Sequence, residues 1–135
     1  MSLYLLDTNI ISDIVRHPSG LVSQYISKIG EENICTSIIV ACELRFGAEK
    51  SESIRLKQQL DKILNYINIL PFEMSCVAHY AKIRTNIERA GTPIGANDLL
   101  IAAHALAINA VVVTANVREF IRVPNLKVEN WLDQN

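Results

Sequence analysis

Residues 96–114 read ANDLLIAAHALAINAVVVT, and they decide the fold. Asn97 or Asp98 can cap a helix that runs through LLIAAHALAI, because a short polar side chain accepts the first free backbone amides of a helix. AVVVT, residues 110–114, is then a short unbroken β-branched run of the kind found in a strand buried on both faces. A helix followed directly by a fully buried strand is the repeating unit of a parallel α/β sheet.

Working outward, the same alternation recurs. Residues 3–6, LYLL, form a second apolar run that ends on Asp7-Thr8-Asn9, which closes a strand and opens a helix over Thr8 to Val15. Pro18-Ser19-Gly20 punctuates the chain before Val22, Tyr25, Ile26 and Ile29 recur at helical spacing. Asn33 to Thr36 reads as a short strand, with Ser37 capping a helix from Ile38 to Gly47. Leu56, Leu60, Ile63, Leu64 and Ile67 mark a long helix, and Ile67 to Leu70 before Pro71 marks a brief strand. Cys76, Tyr80, Ile83 and Ile87 place a helix over Glu73 to Ala90, stopped by Gly91 and Pro93. Leu126 to Glu129 adds a last edge strand. The expected architecture is one α/β domain over residues 1–135, a short parallel sheet with helices on both faces.

Composition narrows the function. Half of the 135 residues are apolar, enough for a sizeable core without disulfides. Aromatics are only 6%, too few for a base-stacking sheet. Thirteen basic and fourteen acidic residues leave a net charge of −1, so the broad positive footprint of a non-enzymatic nucleic-acid binder is missing. The pairs Arg84 with Arg89 and Arg118 with Arg122 are as well explained by solvated helix faces. Cys35, Cys42 and Cys76 form no CxxC pair and sit in apolar stretches, which suits a reducing compartment. With no basic leader before the first apolar run and no apolar run of about 18 residues, the chain reads as cytoplasmic.

Three carboxylates occupy expensive places. Asp7 follows LYLL, Glu43 lies within SIIVACEL and Asp98 stands between GAN and LLIAA. A carboxylate in such company costs several kcal/mol unless it is paired, hydrogen-bonded or bound to a cation. Taken singly, Asp7 is as easily a helix cap, Glu43 a partner for Arg45 or a distant arginine, and Asp98 a cap or first-turn acid. Asp7 lies at the edge where α/β sheets bind ligands, and if the helices of Glu43 and Asp98 start at that edge the three converge on an oxygen-rich site suited to Mg²⁺ or Mn²⁺. Such an ion would make a bound water more acidic and hydroxide available near neutral pH. Thr8, Asn9, Ser37 and Thr114 are candidate supporting donors, and turn or cap roles explain each equally well. His17, His79 and His104 show no zinc spacing and read as structural or exposed.

At this point four motifs in order, LLDTNIIS, SIIVACELRFGAEKS, GTPIGANDLLIAAHAL and VVVTANVREFIRVPNLKVENW, resemble the PIN-domain nucleases, and within them the VapC toxins of bacterial toxin–antitoxin pairs. The resemblance spans nearly the whole chain. It implies a PIN-like three-layer fold and an endoribonuclease that cuts a structured RNA, a transfer RNA such as the initiator or a ribosomal loop. It further implies Asp7, Glu43 and Asp98 as ligands for one or two Mg²⁺ or Mn²⁺ ions. A VapB-type antitoxin would block the site, and relatives form homodimers or larger assemblies with it; helices around Leu21–Ile29 and Leu56–Ile67 are candidate contact surfaces. Many relatives carry a fourth acid where this chain has Asn116. An amide is a weaker, neutral ligand, so a second ion would bind only with RNA phosphate completing its shell. Glu119 could partly compensate, or be a solvated residue.

Two rivals stand beside this reading. One is a phosphate-handling α/β enzyme with Asp7 as nucleophile, which usually shows a second Asp where this chain has Asn9. The other is a non-catalytic PIN-like interaction module, with Asn116 as its first sign of decay. A dinucleotide-binding domain is excluded because no GxGxxG follows the first strand.

Overall fold

The computed structural model describes residues 2–132. Its strands are β1 (Leu3–Leu6), β2 (Ile34–Ser37), β3 (Asn68–Leu70), β4 (Ala110–Val113) and β5 (Val128–Glu129). They form one sheet in the order β3-β2-β1-β4-β5, and every neighbouring pair is parallel. The helices are α1 (Thr8–Arg16), α2 (Leu21–Ile29), α3 (Ile38–Ser51), α4 (Ile54–Tyr66), α5 (Ser75–Arg89), α6 (Ala96–Ala107) and α7 (Val117–Phe120).

The strand order has a physical consequence. From β1 the chain steps one way to β2 and β3, then returns through α5 and α6 to pair β4 with the other side of β1. Right-handed crossovers on opposite sides of β1 put their connections on opposite faces of the sheet, so the loops after β1 and β4 diverge and leave a crevice between them. The ends flanking it are laced together: the Asp7 amide donates to the Val113 carbonyl at 2.9 Å, and the Thr36 hydroxyl to the Leu6 carbonyl at 2.6 Å.

Central strands are the apolar runs of the sequence. All four residues of β2 and of β4 are buried, whereas the edge strands β3 and β5 are largely accessible. Ile10, Ile11 and Ile14 of α1 and Leu99, Ile101 and Ala102 of α6 press on this centre. Each Leu or Ile buried there contributes about 1.5–3 kcal/mol.

Several boundaries differ from the sequence reading. The second strand starts one residue late, because Glu31–Asn33 winds as a 3₁₀ turn, and Ser37 both ends β2 and caps α3. Gly47 does not stop α3: it stays helical, and the chain turns at Glu52, whose φ is +59°. Neither Asn97 nor Asp98 caps α6. Gly95 holds the cap position, which moves Asp98 into the first turn, where the helix dipole favours an acid. The last strand shrinks to two residues, since the Leu126 amide is engaged by the Val123 carbonyl in a turn. Of the cysteines, Cys35 and Cys76 are buried as expected, but Cys42 is exposed.

Candidate active site

All the acids singled out come to the crevice. Asp7 is the residue after β1, only 3% exposed, and it caps α1 by accepting from the Thr8 amide at 2.8 Å. The cap role and the site role therefore fall on one carboxylate. Its second oxygen accepts from the Thr114 hydroxyl at 2.7 Å and from the Asn9 side-chain amide at 3.4 Å. Asn9 in turn accepts from the Ala115 amide at 2.9 Å, so the loops after β1 and β4 are joined across the acid.

Glu43 lies in the second turn of α3. The Thr8 hydroxyl donates to one of its oxygens at 2.6 Å and the Asn97 side chain to the other at 3.2 Å. It does not pair with Arg45, which bonds Asp61 at 2.6 Å on the surface. Asp98 accepts from the Asn116 side-chain amide at 3.1 Å, and the same amide nitrogen donates to Glu119 at 2.8 Å. The other Glu119 oxygen accepts from the Gly95 amide, so Glu119 belongs to the cluster rather than to solvent.

The electrostatics follow from this crowding. Asp98 is pushed up to about 7, first by burial, then by the negative charges of Asp7, Glu119 and Glu43. Burial also raises Asp7, against the lowering pull of Thr114 and Thr8. Glu119 is held below its ordinary value, chiefly by the Gly95 amide. Asp98 is thus the acid whose charged form is most disfavoured near neutrality. None of the ion pairs among the described residues reaches these acids: they join Arg45 to Asp61, Lys57 to Glu49 and Arg84 to Glu88.

Such a set of hard oxygen donors, paired with no Lys or Arg among the described residues and with Arg122 near Glu119 alone, fits a hard divalent ion in its chemistry. Its present geometry is open. Among the described residues no three His, Cys, Asp or Glu side chains stand close enough to enclose an ion. The hydrogen bonds from Thr8, Asn97 and Asn116 occupy the oxygens that a cation would take. Access is wide: a groove of about 560 Å³, lined by Thr8, Ile39, Cys42, Glu43, Phe46, Asn97 and Leu100, leads to Glu43.

This architecture has counterparts among known proteins. Residues 4–126 match the PIN domain family. The chain belongs to the PIN-domain family. It is 42% identical over 131 residues to Ribonuclease VapC2 of Rickettsia felis, covering 96% of this chain and 98% of that protein. To the tRNA(fMet)-specific endonuclease VapC of Salmonella typhimurium it is 34% identical over 133 residues, covering 97% and 99%. Among solved structures, VapBC2 from Rickettsia felis bound to a DNA fragment from its promoter superposes with a TM-score of 0.89 at 39% identity, over 96% of this chain and 98% of that one. DNA-bound VapBC from Salmonella typhimurium gives 0.86 at 31% identity, over 97% and 99%. The VapC resemblance read from the four motifs is borne out, and so is the α/β fold that it implied.

In this PIN domain the supporting residues divide. Thr8, Asn9 and Thr114 bond the acids directly, and Asn116 bridges two of them. Ser37 does not touch an acid. Its hydroxyl accepts from the Ile39 amide at 3.1 Å as the cap of α3 and lies 2.7 Å from His104 Nδ1. Sequence reading missed Asn97 as a Glu43 partner and Gly95 as a Glu119 partner. An Asn at the start of a helix reads as a cap, and a backbone amide carries no residue-specific signal.

Proposed function

We propose that this PIN domain is a metal-dependent endoribonuclease, the toxin of a VapBC-type pair, with Asp7, Glu43 and Asp98 holding Mg²⁺ or Mn²⁺ and Glu119 as the fourth acid. The observation that carries the reading is the meeting of four carboxylates, from four separate elements, at a crevice where none of them forms an ion pair with a Lys or Arg among the described residues. A structural role would favour pairing these charges, since uncompensated buried acids are costly.

Each residue has a task under this reading. Asp7, buried and locked by Thr114 and Thr8, is the fixed ligand. Glu43 and Asp98, half-buried and held by neutral donors, exchange those donors for the ion. Asn116 is neutral and already donates to Asp98 and Glu119, so it orients those acids rather than ligating. A divalent ion bound there supplies an activated water and neutralises charge on the phosphoryl group. Such an ion would favour the carboxylate form of Asp98. No nucleophilic side chain is needed.

Transfer RNA, the initiator first, is the substrate class proposed, supported by the Salmonella relative's tRNA(fMet)-specific name. A VapB-type antitoxin is the proposed partner, as the Rickettsia and Salmonella VapBC complexes suggest. No helix among the described residues is long and apolar enough to cross a membrane. The test is to incubate the purified, partner-free protein with total cellular RNA and Mg²⁺ or Mn²⁺, beside EDTA, and map new RNA ends. Discrete ends that vanish with EDTA support the reading, and RNA left intact with either ion refutes it.

A further inference from the structure

The acids sit on elements that nothing in the backbone ladder joins. Glu43 is on α3 and Asp98 on α6, and their mutual placement depends on how these two helices lie against each other. Two polar rungs cross between them. At the site, the Asn97 side chain meets Glu43 at 3.2 Å. Away from it, His104 Nδ1 meets the Ser37 hydroxyl at 2.7 Å, at a residue only 1% exposed. Since 37 precedes 43 while 104 follows 97, the rungs belong to an antiparallel pair, and six or seven residues separate them, about 9–10.5 Å at the helical rise.

The outer rung has a defined chemistry. The Ser37 oxygen accepts from the Ile39 amide and keeps its O–H and a second lone pair, so it can pair with Nδ1 of a neutral imidazole in either tautomer. Burial holds His104 toward that neutral form, against the opposing charge of Glu73. Phe72 closes the pocket edge-on, with ring centroids 5.6 Å apart at 82°. The other buried residues of α6 are Leu99, Ile101, Ala102, Ala103 and Ala105, small or aliphatic groups that carry no directional bond. Aliphatic surfaces tolerate a slip of a fraction of a turn, whereas a short hydrogen bond does not. A ligand set must be held to about 0.5 Å.

We propose that His104 is a positioning residue of the nuclease: through the Ser37 hydroxyl it fixes the register of α3 against α6 and thereby the separation of Glu43 from Asp98. The proposal rests on these acids being the cation-holding residues. It extends that reading to a residue that touches neither ion nor RNA.

The test compares His104→Asn, His104→Leu and Ser37→Ala in the full chain. Asn keeps an acceptor and donor near the position of Nδ1 but leaves a void beneath Phe72, whereas Leu fills the volume and abolishes the hydrogen bond. Three quantities are read: melting temperature, Mn²⁺ affinity by calorimetry, and Mn²⁺-dependent RNA cleavage. The expected result is an inversion. His104→Leu melts at or above His104→Asn, yet binds Mn²⁺ and cleaves about tenfold more weakly, while His104→Asn stays near wild type in both. Ser37→Ala matches His104→Leu in Mn²⁺ affinity, and combining the two adds no further loss. Mn²⁺ affinity and cleavage that simply follow melting temperature would overturn the proposal and leave His104 a packing residue. The wild-type arm reads the parent assignment separately: Mn²⁺ binding that is lost in Asp98→Asn upholds it. With that upheld, equal Mn²⁺ affinities in wild type and His104→Leu overturn the role of His104 alone.

Discussion

The Thr8 hydroxyl donates to Glu43 Oε1 at 2.6 Å, joining the first residue of α1 to the second turn of α3. Thr8 follows Asp7, so one dipeptide supplies an acid and the donor that aims the next acid. Hydrogen bonds to a charged group are worth about 1.5–3 kcal/mol, and their loss here falls on the orientation of Glu43. Thr8→Val keeps the β-branched shape and removes only the hydroxyl. It is expected to lower Mn²⁺-dependent cleavage about tenfold while the melting temperature moves little, a contrast that paired activity and melting curves check.

Asp98→Asn separates stability from function. In the metal-free protein the acid is crowded by Asp7, Glu119 and Glu43 and carries an unfavourable charge near neutrality. An amide removes that charge while keeping polar atoms for Asn116 and Glu119. The variant should melt at or above wild type without metal, and should lose about a hundredfold or more in cleavage rate. A lower melting temperature in the absence of metal would argue against the crowding.

Asn116→Asp runs the opposite way. A fifth carboxylate, beside Asp98 and Glu119, adds repulsion that the Asn116 amide now relieves. The metal-free protein should lose about 1 kcal/mol of stability, and added Mn²⁺ should raise its melting temperature more than it raises that of wild type. Thermal shift with and without Mn²⁺ reads both.

His104 makes stability depend on pH. Burial lowers its folded-state pKa below the ordinary 6.5, so between those two values the unfolded chain binds more protons than the folded one. Stability then rises with pH across that window; the contribution is fully present above 6.5 and is lost as pH falls toward the folded value. Titrating wild type against His104→Leu isolates the effect, because other groups cancel in the difference. Wild type should lose stability relative to the variant as pH falls below 6.5.

How far the sequence discloses this site depends on what kind of signal each residue leaves. LYLL before Asp7 and AVVV before Thr114 are legible because a strand buried on both faces must be continuously apolar. Glu43 and Asp98 are legible because carboxylates beside such runs need an explanation. Glu119 was ambiguous, since a short helix gives no periodicity, and only the fold brings it to Gly95 and Asn116. Asn97 and Ser37 carry the sequence signature of caps. Ser37 is one and Asn97 is not, a difference set by where α6 begins rather than by residue type. The exposure of Cys42 was hidden in the same way: α3 turns it outward between residues that face the core.

The central claim is that this acid crevice cuts RNA with a divalent ion. The most direct measurement is the rate at which partner-free protein cleaves an initiator tRNA transcript as Mn²⁺ is raised, beside Asp98→Asn at equal concentration. The account predicts a single discrete cut whose rate saturates with Mn²⁺, is abolished by EDTA and is absent in the variant. Cleavage that proceeds equally in Asp98→Asn, or equally in EDTA, would contradict it.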